Sequence, residues 1–95
     1  MATRAYSDMT PAHVSPPGDT LSEELVARAM TQKELAQAMG RPQKLVNEIV
    51  RGKKRITAET ALQLQRVLGI DARIWLGLQT EYDLHLARSV QARSA

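Results

Sequence analysis

Apolar side chains recur at steps of three and four residues from about residue 18 to residue 88, and strict alternation of apolar and polar positions is absent. Steps of three and four place side chains on one face of an α-helix, whereas alternation is typical of a strand. The chain also lacks phenylalanine and has few β-branched residues, which counts against a sheet. The pattern therefore predicts an all-α protein.

Residues that start and end helices divide this pattern into five segments. A threonine with a glutamate three residues later has the spacing of a capping box, and a glycine after the last apolar position ends a helix in the left-handed conformation. The predicted starts are Asp19 or Thr20 (with Glu23), Thr31 (with Glu34), Pro42, Thr57 and Asp71, and the predicted ends are Gly40, Gly52 and Gly69.

Each predicted helix has one face that should be buried, and its members share the helical spacing. They are, in chain order, Leu21, Leu25, Val26, Ala29; Leu35, Ala36, Met39; Val46, Ile49, Val50; Ala61, Leu64, Val67, Leu68; and Ile74, Trp75, Leu78, Tyr82, Leu86. Residues 1–17 hold three of the four prolines and no sustained apolar period, which predicts a flexible N-terminal arm. We expect one domain over residues 18–88 and a C-terminal tail over residues 89–95.

The second and third helices have the spacing of a helix-turn-helix. Counted from Gln32, small or apolar residues occupy the fourth, fifth, ninth, fifteenth and eighteenth positions: Leu35, Ala36, Gly40, Val46 and Ile49. The fifth is small because the next helix crosses close above it, and the ninth needs the positive φ that glycine adopts without strain. The alternative is an ordinary pair of bundle helices with a glycine turn, which does not predict the distribution of charge.

That distribution favours a nucleic-acid partner. The 95 residues carry a formal net charge of +3, which divides into −2 over residues 1–30, +5 over residues 31–57 and 0 over residues 58–95. A chain of this length supports a single domain and excludes a two-domain enzyme. The excess of positive charge therefore lies on the predicted helix-turn-helix and the segment after it.

In a helix-turn-helix the second helix enters the major groove and the first crosses the DNA backbone. Amide and cationic side chains on the exposed face of the second helix have the donors and acceptors that bases offer. The predicted base-contacting residues are Gln43, Lys44, Asn47 and Arg51, although a solvated helix face has the same composition. The predicted contacts to phosphates are Thr31, Gln32, Lys53, Lys54 and Arg55.

The segments PPGDTLSEEL, MTQKELAQAMG, RGKKRITAETALQLQRVLG and IDARIWLGLQTEYDLHLAR resemble the HigA family of antitoxins, over about residues 15–88. The resemblance implies a lambda-repressor-like domain, a homodimer that represses its own promoter, and a HigB-like toxin partner that cleaves messenger RNA. It also adds Thr57 to the phosphate contacts. Pro42 and Asn47 stand where relatives often have serine, so the resemblance does not supply the operator sequence.

Two further surfaces are predicted with alternatives left open. Trp75, Leu78, Tyr82 and Leu86 form a stripe on the fifth helix that suits either a dimer interface or the core. The acidic residues of the first helix, Asp19, Glu23 and Glu24, suit a basic toxin or simply complement the helix dipole.

Catalytic and metal-binding functions lack candidate residues. The chain has no cysteine, and His13 and His85 stand apart without metal-ligand spacing, so we expect no enzyme, metal or cofactor. It contains no run of 18 apolar residues and no signal-peptide pattern, so we expect a cytoplasmic protein without a membrane partner. The remaining alternatives are a solitary repressor without a toxin and an interaction module that neutralises a toxin without binding DNA.

Overall fold

The computed structural model describes residues 14–94, and most of the predicted N-terminal arm lies outside this range. Within it the chain forms five helices and no strand, which confirms the predicted all-α, five-helix class. The helices are α1 (Pro17–Ala27), α2 (Gln32–Met39), α3 (Gln43–Val50), α4 (Ala58–Leu68) and α5 (Ala72–Ser94).

Three of the predicted helix starts are confirmed by their capping hydrogen bonds. The Glu34 N–H donates to the Thr31 hydroxyl at 3.0 Å, and the Glu34 carboxylate accepts from the Thr31 N–H at 2.9 Å. Thr57 accepts from the N–H of Thr60 at 3.3 Å, which starts α4. The Asp71 carboxylate accepts from the N–H of Arg73 at 2.7 Å, which starts α5.

The predicted start of α1 is wrong. The helix begins at Pro17 rather than at Asp19 or Thr20, and no side chain caps it. Pro17 occupies the first helical position, where its fixed φ is already helical and its missing N–H has no partner to lose. The threonine and glutamate spacing at Thr20 and Glu23 therefore lies inside the helix, and the capping box does not form.

Side chains from all five helices and one loop form a single core. Its buried apolar members are Leu21, Leu25, Leu35, Ala36, Met39, Leu45, Val46, Ile49, Ile56, Ala61, Leu64, Leu68, Ala72 and Trp75. Four residues predicted to face inward are instead exposed: Val26, Ala29, Ile74 and Leu86. Val26 and Ile74 each immediately adjoin a buried residue, and one residue corresponds to about 100° of helix rotation.

Helix α5 is longer than the domain requires. Its first half packs on the core through Trp75, whereas Leu84, Leu86 and Val90 in its second half are exposed. The helix continues without a break to Ser94, beyond the boundary that the sequence suggested after residue 88. The last third of α5 therefore projects as an extension of the domain.

Candidate nucleic-acid interface

Helices α2 and α3 are joined by a tight turn that begins at Gly40. Gly40 has a φ of 71°, and nothing lies within 4 Å of where its Cβ would be, so the conformation rather than the space selects glycine. The N–H of Arg41 donates to the carbonyl of Ala36 at 3.0 Å, and the N–H of Gly40 donates to Gln37 at 3.2 Å. These bonds end α2 in the way expected of a left-handed terminator, and they fix the direction of α3.

Helix α3 buries one face and exposes the other. Leu45, Val46 and Ile49 face the core, while Gln43 and Lys44 in the first turn are exposed. The first turn of the second helix in a helix-turn-helix is the part that approaches base edges. The geometry therefore leaves the two predicted base-contacting residues of this turn available to a ligand.

The amide of Asn47 has a role that its sequence position did not reveal. Its Nδ2 donates to Oε1 of Gln32 at 3.2 Å, which joins α3, the recognition helix of the helix-turn-helix, to the start of α2, the helix that crosses the DNA backbone in this motif. Both side chains are half-buried. The bond does not involve Oδ1 of Asn47, an acceptor, or Nε2 of Gln32, a donor.

A regular helix end directs the basic segment that follows α3. Gly52 has a φ of 75°, its N–H donates to Ile49 at 3.0 Å, and the N–H of Lys53 donates to Glu48 at 2.8 Å. This is the Schellman pattern, in which the chain turns sharply away from the helix axis. Lys53, Lys54 and the preceding Arg51 are all exposed beside the end of the recognition helix.

The cations of this surface differ in whether a carboxylate neutralises them. Lys44, Arg51, Lys53 and Lys54 make no ion pair with any residue from 14 to 94, so their charge is available to a polyanion. Arg55, in contrast, pairs with Asp83 of α5. The sequence placed Arg55 with the phosphate contacts but did not reveal this partner.

The Asp83 carboxylate is held from two sides. The hydrogen bond from Arg55 lowers the pKa of Asp83 below its usual value, and a hydrogen bond from Gln79 adds to the effect. The same pair raises the pKa of Arg55. Asp83 is therefore ionised at neutral pH, and it faces the basic segment.

Gln79 connects this pair to the backbone. Its side chain is 4% exposed, its Oε1 accepts from the N–H of Ile56 at 2.8 Å, and its Nε2 donates to Asp83 at 3.0 Å. A buried amide of this kind is stable only with its hydrogen bonds made. Gln79 therefore fixes the segment between α3 and α4 against α5, a role that no local sequence signal indicates.

Gly18 is a second residue whose importance the sequence did not reveal. A Cβ at this position would lie 2.1 Å from the carbonyl oxygen of Ile49 and 2.8 Å from that of Val50. The start of α1 therefore packs directly on the backbone at the end of the recognition helix. Only glycine allows this approach. The contact between the two backbones fixes the position of α3 relative to α1.

The threonines predicted to contact phosphates already serve as caps. The Thr31 hydroxyl accepts from the Glu34 N–H and contacts the Glu34 carboxylate at 3.2 Å, and the Thr57 hydroxyl lies 3.2 Å from that of Thr60. Both residues remain exposed at helix N-termini. Any phosphate contact there would use the free amides of the first turn together with the helix dipole.

The predicted dimer stripe on α5 divides into two parts. Trp75 is 0% exposed, so its side chain has no surface to offer a second copy. Its assignment to the dimer interface is therefore wrong, and the residue belongs to the core. Leu78 and Tyr82 are half-buried and Leu86 is 45% exposed. The same helical spacing continues from a buried part of α5 into an exposed part, so spacing alone does not separate core residues from surface residues.

The acidic surface of α1 is only partly neutralised. Glu24 pairs with Arg28 at 3.2 Å, one helical turn later. Asp19 and Glu23 are exposed and border a shallow depression that also includes Val26 and Ala27. The face thus combines negative charge with exposed apolar surface.

Residues 14–94 contain no cluster of three or more histidine, aspartate or glutamate side chains placed to hold a metal ion. None of the helices in this range is long and apolar enough to cross a membrane.

The tight turn, the exposed first turn of α3 and the unpaired cations beside it define a helix-turn-helix DNA-binding protein. A family model described as helix-turn-helix (HTH_3) matches residues 21–75. The chain belongs to this family and, within it, to the HigA-type antitoxins. Proteins of this family are DNA-binding regulators and not enzymes.

The chain is similar to three other proteins. Virulence-associated protein I of Dichelobacter nodosus is 46% identical over 72 residues, which cover 75% of this chain and 67% of that protein. A HigA-family addiction module antidote protein from Coxiella burnetii is 34% identical, with a TM-score of 0.81 and coverage of 86% of this chain and 90% of that one. Antitoxin HigA from Pseudomonas aeruginosa, solved with the higBA promoter, is 31% identical, with a TM-score of 0.82 and coverage of 86% and 90%.

Proposed function

We propose that this antitoxin-like DNA-binding regulator is a homodimer that represses its own promoter and neutralises a HigB-like, mRNA-cleaving toxin. The observation that carries the DNA-binding part is the surface formed by the first turn of α3 and the segment after it. Gln43 and Lys44 project from that turn, and Lys53 and Lys54 are exposed beside the helix end without a carboxylate partner among residues 14–94.

Each part of this surface has a distinct task. Gln43 suits adenine and Lys44 suits guanine, and one good side-chain–base pair discriminates by about 1–3 kcal/mol. Asn47 and Arg51 are the further candidates for base contact. Lys53 and Lys54 suit phosphates, with Arg55, Gln32 and the helix starts at Thr31 and Thr57 as additional candidates; such contacts give affinity without sequence preference.

One partly exposed face of α5 supports the homodimer. Leu78, Tyr82 and Leu86 are spaced four residues apart, so they lie on one helix face, which becomes more exposed toward the C-terminus. A second copy packed on this face would remove apolar surface from water. The two recognition helices of such a dimer should lie about 34 Å apart, one turn of DNA.

The acidic and apolar face of α1 supports a basic protein partner. Asp19 and Glu23 have no ion-pair partner among residues 14–94, and Val26 between them and the helix end is 80% exposed. Protein interfaces commonly have an apolar centre and a polar rim, and an exposed apolar side chain beside negative charge fits this arrangement. Glu24, bound to Arg28, contributes less free charge.

Two experiments test the proposal. The wild-type chain should repress a reporter gene that is controlled by the DNA upstream of this gene. The product of the adjacent open reading frame should co-purify with the chain. Repression without any co-purifying partner would favour a solitary regulator. Co-purification without repression would favour an interaction module, although such a module does not fit a family of DNA-binding regulators.

The toxin face has a matched test. Glu23→Lys combined with Glu24→Lys should weaken binding of the toxin at low salt, because both changes place positive charge opposite a basic partner. Glu59→Lys serves as the control, since Glu59 is an acidic residue in the first turn of α4 with a side chain that is 76% exposed. Equal toxin affinity of the double variant and the control would exclude the α1 face.

A further inference from the structure

We infer that Asp83 restrains Arg55 and so limits the affinity of this protein for DNA phosphates. The inference rests on the proposed DNA-binding function and concerns how strongly the basic surface acts. Arg55 lies two residues after Lys53 in the segment beside the recognition helix, yet its guanidinium is bound to a carboxylate of α5.

The pair is exposed enough to open. The side chains of Arg55 and Asp83 are 65% and 37% exposed, so solvent and counterions screen their attraction. A phosphate that approached Arg55 would therefore compete with Asp83 for the same guanidinium donors. Binding of Arg55 to DNA either breaks the pair or brings a carboxylate next to a phosphate, and both reduce the gain.

Gln79 makes this restraint more than a chance surface contact. The Gln79 side chain is buried, holds Asp83 through Nε2 at 3.0 Å, and holds the backbone N–H next to Arg55 through Oε1 at 2.8 Å. The carboxylate and the arginine are thus anchored to the same amide. This connection keeps Asp83 beside the basic segment even when the ion pair opens.

Lys53 and Lys54 lie in the same segment as Arg55, so their available charge can be compared with that of Arg55. Neither has a carboxylate partner among residues 14–94, so their positive charge is fully available to phosphates. Arg55 is the cation of this segment whose charge is offset. Asp83 therefore determines whether the segment presents two or three effective positive charges to the DNA.

The test is Asp83→Asn, which removes the charge but keeps an oxygen that can accept from Gln79. We expect the variant to bind both operator and random duplex about two- to five-fold more tightly, the range for loss of an exposed ion pair. The slope of log K against log salt should become steeper by about 0.9, the value for one more neutralised phosphate. Arg55→Ala should remove the whole gain in the Asp83→Asn background, and in the wild type it should weaken binding, because it leaves the Asp83 carboxylate unpaired beside the phosphates.

Asp71→Asn is the matched control. Asp71 also pairs with an arginine, Arg73, but it lies immediately before α5, twelve residues before Asp83 and roughly 18 Å away along the helix axis. Asp71→Asn should leave the salt slope unchanged, and Asp83→Glu, which keeps the carboxylate, should keep the wild-type affinity. The thermal unfolding of each variant confirms that it is folded.

The possible failures are distinguishable. If Asp83→Asn leaves the affinity and the salt slope unchanged while the wild type binds its operator, the inference that Asp83 restrains Arg55 is wrong and the DNA-binding function stands. If the variant binds more weakly, Asp83 positions Arg55 for DNA and the inference is overturned. If the wild type binds no DNA in any of these titrations, the proposed function itself fails.

Discussion

The contact between Gly18 and the recognition helix gives a sharp prediction for stability. In Gly18→Ala the new Cβ would lie 2.1 Å from the carbonyl oxygen of Ile49, whereas an ordinary contact begins at 3.4 Å, so the two helices must separate by about 1.3 Å. Both partners are backbone, and no side-chain rotation relieves the clash. Overpacking of this kind costs about 1–3 kcal/mol of unfolding free energy.

Gly77→Ala is the matched control, because it is the same chemical change in the interior of another helix. Gly77 lies in α5, it is exposed, and nothing lies within 4 Å of its missing Cβ. Alanine loses less backbone entropy than glycine on folding, so this variant should gain about 0.5–1 kcal/mol. The two substitutions should therefore change stability in opposite directions.

Urea unfolding followed by the fluorescence of Trp75 measures both effects. Trp75 is the only tryptophan of the chain and is fully buried, so its emission reports loss of the core. A loss of about 2 kcal/mol with an m-value of about 2 kcal/mol per molar shifts the midpoint by about 1 M. Protein concentration is held constant because a dimer unfolds in a concentration-dependent way. Equal midpoints for Gly18→Ala and the wild type would refute the close approach of α1 to α3.

Three further predictions concern single side chains. Thr31→Ala should lose about 1 kcal/mol in the same urea assay through loss of the capping box; an unchanged midpoint would contradict the cap. Gln79→Leu should lose about 1–3 kcal/mol because the buried Ile56 N–H loses its acceptor, and an unchanged midpoint would contradict that hydrogen bond. Asp83 has a lowered pKa in the folded state, so its stabilisation is present above about pH 4 and is lost as the pH falls through the folded pKa. The stability difference between the wild type and Asp83→Asn should therefore shrink on acidification from about pH 6 to pH 3, and a constant difference would refute the pair.

Local signals explain why the helix-turn-helix was predictable from the sequence. The capping box at Thr31, the glycine at position 40 and the small Ala36 each act within a few residues, and each is present in the structure as expected. The segregation of charge likewise needs no tertiary information. The positions of α2, α3 and the basic segment therefore follow from the order of residues alone.

Long-range contacts explain the errors. Thr20 and Glu23 have the spacing of a cap, but Pro17 and the packing of Gly18 against α3 start α1 earlier. Trp75 has a helical spacing that suits either a dimer interface or the core, and only the fold shows that its part of α5 lies in the core.

Residues that connect distant segments were likewise missed. Gln79 joins Ile56 across 23 positions, and Asp83 joins Arg55 across 28. Neither spacing has a local signature. The pairs became apparent only when α5 was placed against the segment that follows the recognition helix.

The central claim is that α3 reads bases while the segment after it binds phosphates, and a titration of DNA at several salt concentrations tests it most directly. The ligands are a duplex from upstream of this gene and a random duplex of equal length. Gln43→Ala should lose about 1–3 kcal/mol of binding free energy on the upstream duplex and little on the random one. Lys53→Ala with Lys54→Ala should lose affinity on both and reduce the salt slope by about 1.8. Equal losses on both duplexes for Gln43→Ala, or an unchanged slope for the double variant, would contradict the account.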